Sequence, residues 1–246
     1  MDEKKYQVRK LFENIYTFEE GERVRCFLVI GEEKAVMIDT GNGLVQFEEE
    51  LPALTDKPVF VINTHGDGDH TAGNDHFDVR YIAQADMEIL RSRRPELSGE
   101  YQFVKEGDIF DLGNTVLRVI ETPGHTPGSI VLYDEENKIM YGGDTLTSYN
   151  TFMFSANTNH MQMVKTFKRL MDMNLEVDIL LTCHDGCPIT NYAELLRDSC
   201  AALESYLNGE PETEVYLLKK GSRPRYVKRY IHGCATIIPE VVANAD

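Results

Sequence analysis

The feature that most constrains this sequence is a short polar loop placed directly after a buried strand. Residues 59–63 (VFVIN) form an apolar run of strand length, and residues 64–70 (THGDGDH) follow at once. The glycines let the backbone turn tightly enough to direct two imidazoles and two carboxylates at one point. Imidazole and carboxylate are the usual protein ligands of Zn, Fe and Mn. The loop therefore predicts a metal site.

Three later strands are followed by similar loops. Residues 122–129 (TPGHTPGS) contain His125, residues 142–145 (GGDT) contain Asp144, and residues 182–186 (TCHDG) contain His184. A single His after a strand is more often a hydrogen-bonded structural residue than a ligand. Four such loops in order are what a metal site at one edge of layered sheets requires. The predicted metal ligands are His65, Asp67, Asp69, His70, His125, Asp144 and His184.

Apolar patterning predicts alternating strands and helices. Strands are expected at residues 14–18, 25–30, 34–39, 59–63, 79–82, 116–120, 129–133, 138–141 and 177–181. Helices are expected at residues 44–54, 85–94, 160–173 and 192–207. In the third helix we expect one apolar stripe of Met161, Val164, Phe167 and Met171, and in the fourth we expect Leu195, Leu196, Cys200 and Leu203 to face inward. Since no Pro/Gly/Ser-rich linker interrupts this order, we expect a single domain over residues 1–246.

The order of these loops, from Asp39 to His184, resembles the metallo-β-lactamase superfamily, and in particular its glyoxalase II-like hydrolases. The resemblance implies an α/β fold, a four-layer αβ/βα sandwich with one or two metals at the edge where the loops meet. It also implies a role for each ligand by motif position. His65, Asp67 and His125 would bind a first metal, Asp69, His70 and His184 a second, and Asp144 would bridge them. Asp39 matches a buried aspartate that supports the ligands from behind.

Asp67 departs from the family pattern. The family loop is His-x-His-x-Asp-His, whereas this chain has His-x-Asp-x-Asp-His, with Asp67 in place of the second histidine. A carboxylate makes the site harder and more negative, which favours Fe or Mn over Zn. The related flavodiiron oxygen reductases carry a glutamate there and hold two irons. The alternative, that Asp67 simply replaces His in a dizinc hydrolase, is left open.

The resemblance implies an enzyme with two divalent metal ions per chain, either Zn or Fe/Mn. We expect a hydrolase of a small ester, thioester or lactone, in which a metal-bridging hydroxide is the nucleophile. The expected catalytic residues are Asp69, which would also receive a proton, and Asp144, which would hold the two ions together. The alternative function is a diiron oxidoreductase, a flavodiiron-like catalytic domain without its flavodoxin domain, because the chain ends about where the catalytic domain does.

Charge indicates which partners to expect. The formal net charge is −16, which argues against nonspecific binding to nucleic acid or anionic membranes. Within this acidic chain, residues 219–229 contain six basic side chains and no acid. This segment is either a solvated face or an anion clamp that uses Arg223, Arg225 and Lys228. We therefore expect a small anionic substrate, no nucleic acid and no membrane as partners, and leave a homodimer open.

The remaining features are less specific. Tyr149, Phe152, Met153 and Phe154 form either a wall of the substrate pocket or packing between the two halves. The N-terminus has no secretory signal and the five cysteines are scattered, so we expect a cytoplasmic protein with reduced thiols. Cys183 and Cys187, which flank His184, are expected to be small semi-buried side chains rather than ligands. We also expect the remaining histidines to be non-ligands: His76, His160 and His232.

Overall fold

A computed structural model describes residues 5–21, 24–96, 99–147, 151–184, 186–218 and 225–242. Its strands are β1 (Tyr6–Phe12), β2 (Ile15–Glu20), β3 (Val24–Ile30), β4 (Ala35–Ile38), β5 (Val59–Ile62), β6 (Arg80–Ala83), β7 (Gln102–Val104), β8 (Ile109–Asp111), β9 (Val116–Glu121), β10 (Ile130–Asp134), β11 (Ile139–Gly143), β12 (Thr151–Phe152), β13 (Ile179–Thr182), β14 (Glu214–Leu218), β15 (Arg225–His232) and β16 (Ala235–Val241). Its helices are α1 (Phe47–Leu54), α2 (Gly68–Thr71), α3 (Met87–Arg93), α4 (His160–Asp172) and α5 (Tyr192–Leu207). Among these described residues, no helix is long and apolar enough to span a membrane.

Two mixed sheets form the centre of the fold. The first has the order β1-β2-β3-β4-β5-β6-β7, and it is antiparallel up to β4 and parallel from β4 to β7. The second has the order β13-β11-β10-β9-β8, with β11 and β13 parallel and the other pairs antiparallel. In this arrangement β4 and β5 end at the same edge of the first sheet. Likewise β9, β11 and β13 end at the same edge of the second.

Alternation along the strands shows that the two sheets pack face to face. In β4, Val36 and Ile38 join an inter-sheet cluster, whereas Met37 points to the opposite face. In β10, Leu132 joins the same inter-sheet cluster and Val131 points away from it. Because side chains alternate along a strand, each sheet is apolar on both faces and needs a second layer on its outer side.

Helices supply the outer layers. Phe47 of α1 packs with Met37 on the outer face of the first sheet. On the outer face of the second sheet, Val131 lies in one cluster with Phe167 of α4 and Leu203 of α5. The order of layers is thus helix, sheet, sheet, helix, which confirms the predicted α/β four-layer sandwich. The inward residues predicted for α5 are confirmed, since all are buried: Leu195, Leu196, Cys200 and Leu203.

The predicted apolar stripe of α4 is wrong in phase. Met161 is 58% exposed, and Met171 is only partly buried. The buried face is instead formed by Met163, Val164, Thr166, Phe167 and Leu170. Met161 lies six residues before Phe167, about 120° away around a helix of 3.6 residues per turn, so it falls outside the buried face. Helical spacing alone fits both stripes because they share Val164 and Phe167.

The sequence patterns missed a third sheet and three strands of the two main sheets. The third sheet has the order β12-β16-β15-β14, and its residues Tyr230 and Ile237 pack in the cluster that contains α4 and α5. The missed strands of the main sheets are β1, β7 and β8. Elsewhere the predicted bounds shift by at most three residues; α5 agrees at both ends, whereas α1 begins at Phe47 rather than at residue 44. The sequence of β15 does not indicate a strand, because its buried residues Val227 and Tyr230 stand among basic side chains.

Candidate metal centre and substrate cavity

Loops at the ends of four strands converge at one edge of the sandwich. Residues 64–70 follow β5 of the first sheet, while His125, Asp144 and His184 follow β9, β11 and β13 of the second. The Ile130 N–H donates to the Thr64 carbonyl at 2.9 Å and thereby joins the two sheets at this edge. The structure therefore brings all seven predicted ligands together, four from one sheet and three from the other.

The first predicted ligand group lies around Asp67. The Asp67 Oδ2 atom is 3.6 Å from His65 Nε2 and 3.4 Å from His125 Nε2. One ligand atom from each of these three residues lies within 4.8 Å of the others. This spacing is suited to a single ion between them.

The second predicted ligand group and Asp144 lie next to the first. One ligand atom each of Asp69, His70 and His184 lies within 4.8 Å of the others, and His184 Nε2 is 3.6 Å from Asp69 Oδ2. Asp144 Oδ1 is 3.5 Å from His70 Nε2, and its Oδ2 is 3.2 Å from His184 Nε2 and 3.7 Å from His125 Nε2. Asp144 thus contacts histidines of both groups, as a bridging ligand would.

Buried polar atoms at this point fit a metal ion. Five ligand atoms find no hydrogen-bond partner among the described residues: His65 Nε2, Asp67 Oδ1, His70 Nε2, His125 Nε2 and Asp144 Oδ1. Buried polar atoms are normally paired, because an unpaired group costs about 1–3 kcal/mol. Two imidazoles and a terminal carboxylate in each group, with Asp144 between them, are donors that Zn, Fe or Mn accepts. The residues present therefore fit divalent metal ions.

Asp39 orients two of the histidines from behind. Its backbone is left-handed (φ 60), and its carboxylate accepts hydrogen bonds from Thr64 N, from Thr64 Oγ1 and from His70 Nδ1, at 2.7, 2.7 and 2.8 Å. Since the Thr64 hydroxyl donates to Asp39, the His65 Nδ1 atom, 3.1 Å away, must donate to Thr64 Oγ1. Both imidazoles therefore present Nε2 to the centre. This contact pattern matches the supporting role expected for Asp39.

Cys183 also contacts Asp39. Its Sγ atom is buried and lies 3.2 Å from Asp39 Oδ2. Burial raises the pKa of the Cys183 thiol, and the charge of Asp39 raises it further. The thiol therefore stays protonated and donates to Asp39.

Ionisable side chains at the centre shift one another's pKa values. Burial acts to raise the pKa of Asp144, but the neighbouring His184 and His70 hold it well below its usual range. Burial likewise acts to raise the pKa of Asp67, yet the neighbouring His125 and His65 hold it below its usual range. Conversely, Asp144 and Asp39 raise the pKa of His70 well above its usual value despite burial. The carboxylates are thus ionised, and their negative charge favours a bound cation.

Arg25 is a residue near the centre that sequence reasoning missed. Its backbone N–H donates to the Cys183 carbonyl at 2.8 Å, and its guanidinium donates to the His184 carbonyl. Glu19 fixes the guanidinium from the other side, with 2.7 Å between Arg25 Nε and Glu19 Oε1. An isolated arginine in a strand carries no sequence signal for such a contact.

A cavity of about 330 Å³ opens over the centre. Asp67, Asp69, His125, Asp144 and His184 lie on one side of it, and Phe152, Phe154, Ser155, Leu218 and Arg225 line the rest. The Arg225 guanidinium lies 5.3 Å from the centroid of the Phe154 ring. In the aromatic segment, Phe152 and Phe154 thus form part of the cavity wall, as one interpretation expects. Met153 is instead fully buried in the core, as the packing interpretation expects. Tyr149 lies outside the described residues.

The basic side chains of residues 219–229 do not share one environment. Residues 219–224, including Arg223, lie outside the described residues. Lys228 Nζ is 2.6 Å from Glu240 Oε1, and Arg229 pairs with Glu214. Arg225 is the basic side chain of the described part that lines the cavity. Among the described residues, the anion-clamp hypothesis thus narrows to Arg225, since Lys228 already pairs with an acid.

The other histidines lie apart from the two ligand groups. His76 pairs with Glu48, and His160 Nε2 lies 2.6 Å from the Met153 carbonyl. His232 Nδ1 is 3.5 Å from Asp198 Oδ1. Each has its own partner, in agreement with the expectation that they are not ligands.

Comparison with known proteins decides the family. The family model described as the metallo-beta-lactamase superfamily matches residues 20–184, about two thirds of the chain. The chain belongs to the metallo-β-lactamase superfamily. Among solved structures of that superfamily, a metallo-beta-lactamase from Pontibacter korlensis is similar with a TM-score of 0.67 and 21% identity, covering 81% of this chain and 99% of that one. This likeness supports the fold.

Two curated relatives of this chain have names that describe thioester hydrolases. Acyl-coenzyme A thioesterase MBLAC2 of Homo sapiens is 27% identical over 196 residues, which covers 63% of this chain and 70% of the relative. Hydroxyacylglutathione hydrolase of Rhodospirillum rubrum is 36% identical over 88 residues, covering 36% of this chain and 34% of the relative. Membership and these relatives identify the chain as a metal-dependent hydrolase, and the superfamily implies divalent metal ions.

Proposed function

We propose that this chain hydrolyses a small thioester that carries an anionic group, using two divalent ions held by the seven ligand side chains. The observation that carries the proposal is the cavity, which places the ligand cluster opposite two phenyl rings and one arginine. An acyl thioester with a charged carrier group offers an apolar part, a reactive carbonyl and an anion to these three features. The names of the two curated relatives support a thioester over an ester or lactone.

The residues that would hold the ions follow from the two groups. His65, Asp67 and His125 would hold one, Asp69, His70 and His184 the other, and Asp144 would contact both. When bound, the ions lower the pKa of a water molecule toward neutrality and polarise the substrate carbonyl. This chemistry is sufficient for hydrolysis of an activated acyl group.

The chain's own side chains complete the reaction. Among the seven ligands, the Asp69 side chain has the largest exposed fraction, 35%, and it faces the cavity. Its carboxylate would accept the proton of the attacking water. The water oxygen forms a bond to the acyl carbon, the carbon–sulfur bond breaks, and the proton goes to the departing sulfur. The products are a carboxylic acid and a thiol.

Arg225 would bind the anionic group of the substrate. Its guanidinium lies on the cavity wall against Phe154, where a carboxylate or phosphate can accept two parallel hydrogen bonds. Phe152, Phe154 and Leu218 would contact the apolar part of the substrate. The negative charge of the whole molecule does not prevent this recognition, because Arg225 acts over a short range.

The donor set bears on which metals bind. With Asp67 in place of histidine, each group contains two imidazoles and one carboxylate of its own. A carboxylate in each ligand group makes both metal sites harder, which favours Fe or Mn over Zn at both of them. It is also the feature that keeps a diiron oxidoreductase as the second candidate function. Iron at two per chain in anaerobically purified protein, with oxygen consumption and no thioester turnover, would establish that second function.

Thiol release from defined thioesters tests the proposed function. We expect the metal-loaded protein to hydrolyse acyl-coenzyme A or hydroxyacylglutathione thioesters, and a chelator to abolish turnover. Asp69→Asn should lower kcat by about 10²–10⁴-fold, the usual contribution of a general base. The matched control is Asp111→Asn, an exposed carboxylate that accepts from Gly113 N, and it should leave kcat unchanged. Turnover that survives both the chelator and Asp69→Asn would contradict the proposal.

A further inference from the structure

Asp86 is a fully buried carboxylate that the metal groups do not include. It lies at the end of the short 3₁₀ segment Gln84–Asp86, which follows β6 of the first sheet. Its Oδ2 atom accepts hydrogen bonds from Gly66 N and Thr126 Oγ1, both at 2.7 Å, and its Oδ1 atom accepts from Gly128 N at 2.6 Å. Three short hydrogen bonds, shared between its two oxygen atoms, therefore fix the orientation of this carboxylate.

The partners of Asp86 belong to two different ligand loops. Gly66 directly follows His65 in the loop of the first sheet. Thr126 and Gly128 follow His125 by one and three residues in the loop of the second sheet. Ser129 Oγ lies 2.7 Å from Thr126 Oγ1 and donates to it, because the Thr126 proton goes to Asp86. Asp86 thus joins the backbones beside two ligands of the same metal group.

Glycine makes this close approach feasible at both loops. A Cβ at Gly66 would lie 2.7 Å from the Asp86 carbonyl oxygen, and a Cβ at Gly128 would lie 2.7 Å from Asp86 Oδ1. Either distance is too short for a carbon–oxygen contact. The two glycines therefore let both loops reach one carboxylate.

His125 depends on its backbone for its position. Neither its Nδ1 nor its Nε2 has a hydrogen-bond partner among the described residues. His65 and His70 differ, since Thr64 and Asp39 fix their rings through Nδ1. The contacts that position His125 are therefore those of its loop. They include Asp86 with Thr126 and Gly128, Thr158, whose hydroxyl donates to the His125 carbonyl at 3.1 Å, and Asn159, whose N–H donates to the Gly124 carbonyl at 2.8 Å.

We propose that Asp86 is a positioning residue that sets the separation of His65 and His125, and thereby the affinity of the metal group formed by His65, Asp67 and His125. The two rings stand 4.9 Å apart between centroids, and Asp86 joins the loops that carry them. The second group contains neither His65 nor His125, so its affinity should be independent of Asp86. This inference rests on the proposed two-metal centre.

Calorimetric titration of the metal-free protein with Mn²⁺ tests the inference. We expect two binding events in the natural protein. In Asp86→Asn the amide NH₂ faces a donor, so one event should weaken about 10- to 100-fold, the usual effect of losing a residue that orients ligands, and the other should stay unchanged. The matched control is Asp134→Asn, since Asp134 is also a buried carboxylate and accepts from Asn137 N at 3.0 Å in a distant turn. It should leave both events unchanged.

The outcomes separate this inference from the proposed function. Two unchanged events in Asp86→Asn, or equal weakening of both, would overturn the positioning role and leave the two-metal hydrolase standing. Absence of binding to the natural protein would overturn both. If Asp86→Asn does not fold, Thr126→Val removes one of the three hydrogen bonds and should weaken the same single event about two- to tenfold. No weakening in that variant would also overturn the role.

Discussion

Asp67 departs from the metal loop of the superfamily, and it sets the balance of donors in the candidate metal centre. With Asp67, both metal groups contain two imidazoles and one carboxylate. Replacing it with the superfamily's histidine would make one group softer and less negative. We therefore expect this single side chain to influence which metal ions bind.

We expect Asp67→His to raise the affinity for Zn²⁺ relative to Mn²⁺ by about tenfold, because imidazole is a softer ligand than carboxylate. Competitive loading followed by metal analysis measures the ratio. Asp67→Glu keeps the carboxylate and should keep the natural ratio. An unchanged ratio in Asp67→His would show that Asp67 does not determine metal preference.

Arg225 and Lys228 lie three residues apart on β15 but have different surroundings. Arg225 lines the cavity, and Lys228 pairs with Glu240 at 2.6 Å. We expect Arg225→Ala to raise KM for an anionic thioester about tenfold with little change in kcat, since about 1.5 kcal/mol of binding is lost equally from substrate and transition state. Lys228→Ala is the matched control and should leave KM unchanged. An equal effect of both variants would indicate general electrostatic attraction instead of a specific contact.

At the scale of the element, two faces of α4 have helical apolar spacing in the sequence, and tertiary packing determines which of them is buried. Phe167 is fully buried between the second sheet and α5, whereas Met161 is 58% exposed. The apolar residues of a helix can stabilise the fold only where another element covers them. Their spacing alone does not tell which positions are covered.

We expect Phe167→Ala to lower the free energy of unfolding by about 3–5 kcal/mol, because it removes a buried ring and leaves a cavity. Met161→Ala should change it by less than about 0.5 kcal/mol, as is usual for surface positions. Denaturant unfolding of the two variants measures both values. A large loss of unfolding free energy in Met161→Ala would show that Met161 belongs to the buried face of α4, as the sequence predicted.

At the scale of the whole molecule, the candidate metal centre lies where the two halves of the sandwich meet. Four of the predicted ligands come from the loop after β5 of the first sheet, and three come from strand ends of the second. Ions bound there would connect the two sheets at the edge where Ile130 N also donates to the Thr64 carbonyl. Metal binding should therefore stabilise the entire fold.

We expect removal of the ions with a chelator to lower the melting temperature by about 8–16 °C. An ion at about a thousandfold above its Kd contributes about 4 kcal/mol, and each kcal/mol corresponds to roughly 2–4 °C in a chain of this size. Re-addition of Mn²⁺ should restore the transition, which scanning calorimetry would show. An unchanged melting temperature would contradict a metal centre that joins the sheets.

Much of the fold and of the centre was predictable because its signals are local. A buried strand followed by a polar, glycine-containing loop is readable at residues 59–70 without knowledge of the rest of the chain. The continuous apolar runs of the inner strands and the inward face of α5 are equally local. β15 was missed because its apolar positions, Val227 and Tyr230, stand among basic residues.

The sequence by itself determined which residue types gather in each loop, and therefore the superfamily and the predicted ligand set. Only the tertiary structure decided which distant residues meet: Asp86 with both ligand loops, Arg25 with the His184 carbonyl, and Arg225 with the cavity. The physical reason is that loop composition is set by neighbours in the chain, whereas these contacts depend on how two sheets and their helices pack. A lone charged residue has the same local sequence signal whether it faces water or a buried carbonyl.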